Sequence, residues 1–465
     1  MFRSCSTIAA GLTTFALSVA GCGDDGSSPF DSQGASTGGG SQVSAASASG
    51  GMQTSDATAT GSGSAAASSD GADSTGGGDG VLLDVGAPPG GFGSCECELI
   101  YLWVADSVAG TVSKINTRTL VEEGRYITRP DGSGNPSRTS VNLSGDVAVA
   151  NRYGGLTKFF ADTDDCIESN GMPGIQTSTG KNDVLPWDQE ECRAWYTDFP
   201  ASNQRPVAWT GATTKPGSCD ATPASVWTVT SATEGLPGLG GPGGVIAYLV
   251  NGESGDIEET VPVPGFPGDA FGAYGGAVDG AGNLYFSPLG GFGAALLARV
   301  DHDTLETDLW EIPPDVLPYG ITVDHTGRVW LASNFGSLAG RFDPATETWA
   351  VVPGIGGGSG LAEGPDDLMY ISQGNNVVPV HIDDLTTGPT WTNQEGVKGI
   401  SFDADGFLWA VTQRDDKDPG SQAAAYKIDV DTMTTDGVYT ELDDPYTYSD
   451  MTGNALGSVA CNPEG

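Results

Sequence analysis

Polar side chains recur at the ends of a repeated segment of this chain. Two of its copies are "GITVDHTGRVWLAS" at 320–333 and "GISFDADGFLWAVTQ" at 399–413. The residues at or just beyond the ends differ from copy to copy, and most carry amide or charged groups: Asp106, Asn151, Arg152, Asn334, Gln373, Asn375, Gln413 and Arg414. Tyr274, Tyr319 and Lys398 stand just before the starts of copies. Such groups suit hydrogen bonding to a polar ligand or a partner loop, so the sequence predicts that these residues form a binding ring.

Catalysis by a general base is a weaker interpretation of the same sequence. The chain has three histidines. His302 and His325 fall in hairpin-turn sequences, and His381 falls in the third run of its repeat. A general base must lie within hydrogen-bond reach of its substrate, and turn residues on outer hairpins are poor candidates for that. No phosphate loop, nucleophilic serine elbow or HExxH motif is present. The sequence therefore predicts no catalytic residue.

Metal binding is similarly weak. The stretches "DTDDCIE" at 162–168 and "RDDKDPG" at 414–420 hold closely spaced carboxylates that could bind Ca²⁺. Neither matches a twelve-residue calcium loop, and such clusters arise by chance in a chain with 60 Asp and Glu residues. We expect no metal site and no cofactor, with Ca²⁺ at one of these clusters as the alternative.

The repeat itself indicates the fold. Each copy has an alternating apolar run, a turn of the Asp-x-x-Gly type and a second run with an aromatic residue, followed by two further runs. Alternation with Gly and Asp turns is typical of β-hairpins. The same point can be marked seven times: Trp103, Ala148, Trp227, Tyr285, Trp330, Tyr370 and Trp409. A basic step of about 40–45 residues predicts an all-β, seven-bladed β-propeller with four-stranded blades.

A propeller hides its sheet edges by joining its two ends in one blade. The segment "LIYLWVADS" at 99–107 already has the pattern of a second strand, and "YTYSDMTGNALGSVA" at 446–460 has that of an unpaired first strand. We therefore expect 446–460 and 99–130 to form the closing blade.

The N-terminal region predicts export and membrane attachment. Residues 1–21 have a basic start and an apolar centre, as in a signal peptide. Val19-Ala20-Gly21-Cys22 resembles the bacterial lipobox, in which the cysteine is lipidated. Residues 22–92 are rich in Gly, Ser, Ala and Thr and form a predicted disordered tether. The sequence thus predicts a bacterial cell-envelope protein, periplasmic or on the cell surface, held to a membrane by the lipid on Cys22.

The propeller domain is assigned to 93–465, with a cysteine-rich insertion at about 162–222. The whole chain has 60 acidic and 19 basic residues, which disfavours nucleic acid as a partner. Six cysteines remain beyond the lipobox: Cys95, Cys97, Cys166, Cys192, Cys219 and Cys461. An even set in an exported domain favours disulfides, and Cys-x-Cys is too tight for a usual zinc knuckle.

The strand register predicts how these cysteines pair. Cys166 and Cys192 should face each other across one hairpin. Cys461 should pair with Cys95 or Cys97 in the closing blade. The other member of that Cys-x-Cys would be left for Cys219. All six should lie on the face opposite the binding ring.

The repeats also carry a family resemblance. "PYGITVDHTGRVWLAS" with "GRFDPAT" resembles the repeat of virginiamycin B lyase (streptogramin lyase) propellers and, more broadly, of NHL-type propellers. The resemblance is clear over 270–440 and weak over 99–265. It implies a propeller and, for the lyase, elimination of a cyclic depsipeptide ester with Mg²⁺, a His base and a Glu near the metal.

The chain departs from that catalytic pattern. The position of the family's second-strand Glu holds a carboxylate in one copy of seven, at Asp106. The position before the first-strand Gly holds Tyr319 and Lys398 rather than His. The prediction is therefore a lipid-anchored, extracytoplasmic propeller that binds a polar ligand or a protein through its axial face. The alternative is a lyase-like enzyme acting on a cyclic ester or a related substrate.

Overall fold

The computed structural model describes residues 99–199, 201, 203–211, 224–292, 295–334, 336, 338–413 and 422–460. The signal peptide, the lipobox cysteine and the tether lie outside this part of the chain and stay predictions. The same holds for Arg414, for the acidic stretch 414–420, and for four cysteines: Cys95, Cys97, Cys219 and Cys461.

Seven antiparallel sheets make up the described chain. Blade 1 has strands β4 (Pro136–Val141), β5 (Val147–Asn151), β6 (Leu156–Phe159) and β7 (Arg193–Thr197). Blade 2 has β8 (Val207–Trp209), β9 (Ser225–Ser231), β10 (Val245–Asn251) and β11 (Ile257–Val263). Blade 3 has β12 (Ala273–Val278), β13 (Leu284–Pro288), β14 (Leu296–Val300) and β15 (Thr307–Glu311).

The remaining blades follow the same order. Blade 4 has β16 (Pro318–Val323), β17 (Val329–Ser333), β18 (Leu338–Asp343) and β19 (Thr348–Pro353). Blade 5 has β20 (Leu361–Glu363), β21 (Leu368–Gln373), β22 (Asn376–His381) and β23 (Trp391–Thr392). Blade 6 has β24 (Val397–Phe402), β25 (Leu408–Thr412), β26 (Ala425–Asp429) and β27 (Thr434–Tyr439). Blade 7, the closing blade, has β1 (Tyr101–Asp106), β2 (Thr111–Asn116) and β3 (Glu122–Ile127).

The sheets form a ring in which the first strands of successive blades lie side by side around an axis. The seven-bladed propeller is therefore confirmed. All seven anchor positions fall on second strands, from Trp103 on β1 to Trp409 on β25. We call the end of the axis where first strands begin the strand-entry end, and the other the turn end.

Neighbouring blades pack through aromatic side chains. Trp310 of blade 3 lies 4.9 Å from Phe342 of blade 4, measured between ring centroids, and Phe342 lies at the same distance from Trp349 of its own blade. Trp227 of blade 2 donates its indole N–H to the Gly282 carbonyl of blade 3 at 3.0 Å. Each blade thus covers the apolar face of the next, which is the main driving force for closing the ring.

The Asp-x-x-Gly motif forms the turn between first and second strands. Asp324 accepts hydrogen bonds from the backbone N–H groups of Thr326 and Arg328, both at 3.0 Å. Gly327 has φ of +84°, a conformation that favours glycine. The other Asp324 oxygen accepts from Trp330 Nε1 at 2.8 Å, so the turn is tied to the anchor of the same blade.

Ring closure occurs where the sequence predicts it. Residues 445–451 run antiparallel to β1: Asp106 bridges to Pro445, and the Trp103 N–H donates to the Met451 carbonyl at 2.8 Å. The prediction of one strand over 446–460 is too long, since the chain turns at 451–453 and continues as helix α1 (Asn454–Ala460). Helix α1 contacts β16, β20 and β24. No described helix is long and apolar enough to span a membrane.

A partly buried ion network fastens the chain that leads into the closing segment. Arg125 on β3 donates to Glu122 Oε1 at 2.7 Å, to Asp443 Oδ2 at 2.6 Å and to the Glu441 carbonyl at 2.7 Å. The backbone N–H of Asp443 in turn donates to Asp106 Oδ1 at 2.9 Å. Blade 7 therefore holds the incoming chain at its outer strand as well as at β1.

The insertion between β6 and β7 carries one of the predicted disulfides. Cys166 and Cys192 are bonded, with Cα atoms 4.5 Å apart, and this confirms that they face each other across the hairpin. The insertion contains two short 3-10 helices, Thr163–Asp165 and Trp187–Gln189. The carboxylate of Glu191 accepts hydrogen bonds from the backbone N–H groups of Ser169, Asn170 and Gln176. These bonds hold the part of the loop between the two 3-10 helices.

Candidate functional site

One residue of each blade occupies an equivalent position at the strand-entry end. In blade 4 the anchor Trp330 pairs with Thr322, and Tyr319 lies three residues before Thr322. The same register applies in blades 1 to 6, and the bridge between Asp106 and Pro445 makes Tyr446 the equivalent in blade 7. We call this set the entry ring: Ser137, Arg205, Tyr274, Tyr319, Ser359, Lys398 and Tyr446.

Tyrosines of the entry ring meet across the axis. Tyr274 Oη lies 2.7 Å from Tyr446 Oη, and Tyr319 Oη is hydrogen-bonded to the same Tyr446 oxygen. Tyr448 packs against them, with ring centroids 4.7 Å from Tyr319 and 5.9 Å from Tyr274. All four side chains are buried. Because blade 7 is not adjacent to blades 3 and 4, these contacts fill the centre of the ring.

Four basic side chains surround the tyrosines. Arg138 and Arg205 lie over the Tyr274 ring, at 5.1 Å and 4.8 Å from its centroid. Arg152 and Lys398 lie over the Tyr446 ring, at 4.2 Å and 5.7 Å. The geometry is that of cation–π contacts. We call these residues the entry cluster: Arg138, Arg152, Arg205, Phe271, Tyr274, Tyr319, Lys398, Tyr446 and Tyr448.

Neither of the two central arginines is bonded to a carboxylate within the described part of the chain. Arg138 donates to the Ser137 carbonyl at 3.3 Å and to the Tyr274 carbonyl at 2.8 Å. Burial lowers the pKa of Arg138 to about 9, against the raising effect of nearby tyrosines. Arg138 and Arg205 are two buried guanidinium groups near the Tyr274 ring, and they are hydrogen-bonded to neutral oxygens rather than to carboxylates. They therefore give this end of the axis a positive potential.

Arg205 is held by neutral oxygens and by a covering loop. Its Nε donates to Asn203 Oδ1 at 3.1 Å, and its Nη2 donates to the Gly238 carbonyl at 3.2 Å. Gly238 belongs to the loop between β9 and β10, the "EGLPGLGGPGG" stretch. Arg205 Nη1 is buried without a hydrogen-bond partner, as is Tyr448 Oη. The described cluster therefore has unused hydrogen-bonding capacity at its centre.

Two residues predicted for the binding ring are interior instead. Asp106 is fully buried and accepts hydrogen bonds from Ser113 Oγ at 2.7 Å and from the Asp443 backbone. Asn151 is fully buried and bonds to Thr128 through its side-chain oxygen at 2.7 Å. Both side chains tie the second strand to adjacent chain in this way, and a binding role for either residue stays a prediction.

The predicted amides Gln373 and Asn375 bond to backbone carbonyls of the protein itself. Gln373 Nε2 donates to the Gly354 carbonyl at 2.5 Å, and Asn375 Nδ2 donates to the Asn393 carbonyl at 2.7 Å. Asn334 and Gln413 are partly exposed, and their backbone N–H groups are bonded to the chain entering each blade. A binding role for these four residues stays a prediction. The structure brings Arg152, Tyr274, Tyr319 and Lys398 together, but Tyr274 and Tyr319 are buried rather than exposed on the rim.

The three histidines lie at the turn end. His302 and His381 are next to turns between third and fourth strands, and His325 is in the turn between β16 and β17. His325 Nδ1 is 2.5 Å from Glu363 Oε1, and its backbone N–H donates to Glu363 Oε2 at 2.7 Å. Burial raises the pKa of Glu363 to about 7 against the opposing effect of the bond from His325. Burial lowers the pKa of His325, but the bond and charge of Glu363 outweigh burial and leave it raised.

A magnesium ion, which the lyase resemblance implies, does not fit the entry cluster. Mg²⁺ takes oxygen ligands, chiefly carboxylates and water, whereas the entry cluster presents three guanidinium groups and an ammonium group. Across the described residues no group of three or more His, Cys, Asp or Glu could hold a metal ion. At the stretch 162–168, Asp162 instead caps the first 3-10 helix by accepting the Asp164 N–H at 2.9 Å.

Sequence reasoning missed five members of the entry cluster: Arg138, Arg205, Phe271, Tyr446 and Tyr448. A signal was present for two of them. Arg205 stands three residues before the residue that pairs with Trp227, as Tyr319 does for Trp330. Tyr446 follows the residue that bridges to the end of β1. Arg138, Phe271 and Tyr448 carry no such signal, because their packing depends on side-chain direction across the axis.

Comparison with known proteins gives structural likeness without a family. No protein-family model matches the chain, and no curated protein gives a significant match. A functionally unknown protein from Desulfotomaculum acetoxidans aligns with a TM-score of 0.48 and 12% identity, over 75% of this chain and 97% of that one. A streptogramin B lyase aligns with a TM-score of 0.45 and 14% identity, over 67% and 86%.

A virginiamycin B lyase from Staphylococcus aureus aligns with a TM-score of 0.42 and 15% identity, over 66% of this chain and 84% of that one. The chain is thus a seven-bladed β-propeller with distant similarity to virginiamycin B lyase, and the propeller assignment rests on the seven sheets of the chain itself.

Proposed function

We propose that this protein is a lipid-anchored, extracytoplasmic β-propeller that binds a polar ligand or a protein partner at the strand-entry end of its axis. The observation that carries the proposal is the entry cluster, in which basic side chains converge on tyrosines at the centre of the ring. Arg205 Nη1 and Tyr448 Oη are buried without hydrogen-bond partners. They support a ligand site at this end of the axis, because unpaired buried polar groups are costly unless a ligand bonds to them.

Hydrogen–deuterium exchange on the full chain in detergent tests this location. A screen of small polar molecules by thermal unfolding first supplies a binding compound. That compound should then slow exchange at the starts of first strands, around 271–275 and 316–320, and in the loop 232–244. The turn at 324–328, at the opposite end, serves as the internal control. Protection confined to the turn end, or a screen without any binding compound or partner, would argue against the proposal.

The alternative function is a lyase-like elimination on a cyclic ester, suggested by the resemblance of the repeats. Such a reaction needs a base within reach of the substrate proton. All three histidines of the chain lie at the turn end, away from the entry cluster. We therefore expect a B-type streptogramin incubated with the protein and Mg²⁺ to keep its ester intact. Catalytic formation of the linear product, detected by mass spectrometry, would replace the binding proposal with the lyase.

A further inference from the structure

The strand-entry end concentrates positive charge in a strongly acidic chain. The chain has 19 Lys and Arg residues against 60 Asp and Glu residues. Four of those basic residues lie over the same two aromatic rings: Arg138 and Arg205 at Tyr274, and Arg152 and Lys398 at Tyr446. These two rings are themselves joined through their hydroxyl groups. The four cations thus surround a single centre.

The two central arginines have no carboxylate to balance them among the described residues. Arg138 and Arg205 bond to backbone carbonyls and to an asparagine amide oxygen. Both side chains are buried, at 1% relative exposure each. A buried charge is stable only when it is paired and hydrogen-bonded. The arrangement therefore favours a counter-ion supplied from outside the chain.

The unpaired atoms indicate what that counter-ion must offer. Arg205 Nη1 is an unpaired N–H donor, and Tyr448 Oη carries an unpaired hydroxyl that can donate. Arg205 and Tyr448 both contact Tyr274, so the two groups belong to one cluster. N–H and O–H donors on a guanidinium and a phenol of one cluster match an acceptor with several negatively charged oxygens. Guanidinium groups bind carboxylate and phosphate oxygens with charge-assisted hydrogen bonds.

We propose that the entry cluster binds an oxyanion group of the ligand, such as a carboxylate, phosphate or sulfate, between Arg205 and Arg138. This rests on the proposed function, since it names the chemistry of a ligand bound at the strand-entry end. The oxyanion accepts from Arg205 Nη1 and Tyr448 Oη. It replaces the Gly238 carbonyl, which now accepts from Arg205 Nη2 at 3.2 Å. Lys398, which is partly exposed, marks the outer side of the cluster.

Thermal unfolding of the full chain in detergent, with calorimetric titration, tests the proposal. Inorganic phosphate, sulfate and acetate are added separately at constant ionic strength, with chloride as the reference anion. A ligand that binds the native state raises the unfolding temperature in a saturable way. We expect saturation by at least one oxyanion and none by chloride, and the ranking of the three anions distinguishes carboxylate from phosphate and sulfate sources.

Two variants connect the binding to the cluster. Arg205→Gln removes the charge and keeps a hydrogen-bonding side chain, and should weaken oxyanion binding at least tenfold. Lys398→Gln, at a partly exposed position, should weaken it several-fold and covers the case in which Arg205→Gln does not fold. Arg118→Gln is the matched control, because Arg118 lies at the turn end and pairs with Asp405 there. It should bind as wild type does.

The results separate this inference from the proposed function. Absence of saturable binding by all three oxyanions would overturn the inference, as would unchanged affinity in the Lys398→Gln protein. If a neutral polar ligand nevertheless protects the strand-entry segments from exchange, the proposed function stands and only the oxyanion assignment fails.

Discussion

Asp106 makes the stability of the closing blade depend on pH. Its carboxylate is fully buried beneath the junction of blade 7 and the incoming C-terminal chain. Burial raises the pKa of Asp106 to about 7, against the lowering effects of Arg125, Ser113 and the Asp443 N–H. The substitution Asp106→Asn removes the ionisation and keeps an oxygen for the Asp443 N–H. Ser113 Oγ can turn to accept from the new amide, so the packing is preserved.

The direction of the pH dependence follows from proton linkage. Between the ordinary pKa of 3.8 and the folded value of about 7, the native state keeps a proton that the unfolded chain has lost. The free energy of unfolding therefore falls as pH rises through this window. At about 1.4 kcal/mol per pH unit, the carboxyl lowers stability by roughly 2–3 kcal/mol between pH 5 and pH 8. This contribution is absent from the Asp106→Asn protein.

Urea unfolding at pH 5, 6, 7 and 8 measures the effect in wild type and variant. Other ionisable groups titrate in both proteins, so the difference between the two pH profiles isolates Asp106. The variant should lose about 2–3 kcal/mol less stability than wild type over this range. Asp315→Asn, at an exposed position in the loop after β15, is the control and should follow wild type. Parallel profiles for wild type and Asp106→Asn would refute the assignment.

Three further predictions concern the indole hydrogen bond of Trp409, the lipidation of Cys22 and the pairing of Cys461. Trp409→Phe removes the 2.9 Å hydrogen bond from the indole N–H to buried Asp403. The variant should lose about 1–3 kcal/mol of unfolding free energy, measured by urea titration. An unchanged unfolding free energy would mean that the bond is dispensable. Cys22→Ala should abolish the lipid mass and release the protein from membranes, and retention of the variant through a high-salt wash, with no lipid on wild type, would contradict lipid anchoring. Non-reducing peptide mapping should join Cys461 to a peptide containing 95–97; a bridge from Cys461 to the peptide with Cys219 would contradict the predicted pairing.

The blade architecture could be predicted from the sequence because it is local. Alternating apolar residues, Asp-x-x-Gly turns and one anchor per copy specify hairpins over short stretches, and the structure confirms all seven anchors on second strands. The pairing of Cys166 with Cys192 was predictable for the same reason, since both flank one hairpin. The closing blade was predicted in position but not in form. Helix α1 replaces the end of the expected strand because 454–460 leaves β1 and packs across β16, β20 and β24.

The candidate site depended on the tertiary structure to a greater degree. Asp106 and Asn151 are polar residues at strand ends, as many exposed residues are, and only the packed blades show that both are buried and bonded. Tyr274 and Tyr319 were identified from their place before a glycine, yet their meeting with Tyr446 requires three blades that are far apart in sequence to converge on one axis.

The sequence by itself therefore determined the repeat, the blade count, the acidic surface and the predicted export signal, because each depends on composition or on patterns within tens of residues. Only the tertiary structure decided which polar residues face the axis. Seven first strands converge there, and a side chain's neighbours come from blades that no local pattern relates. The gathering of Arg138, Arg152, Arg205 and Lys398 around shared tyrosine rings is a property of the closed ring.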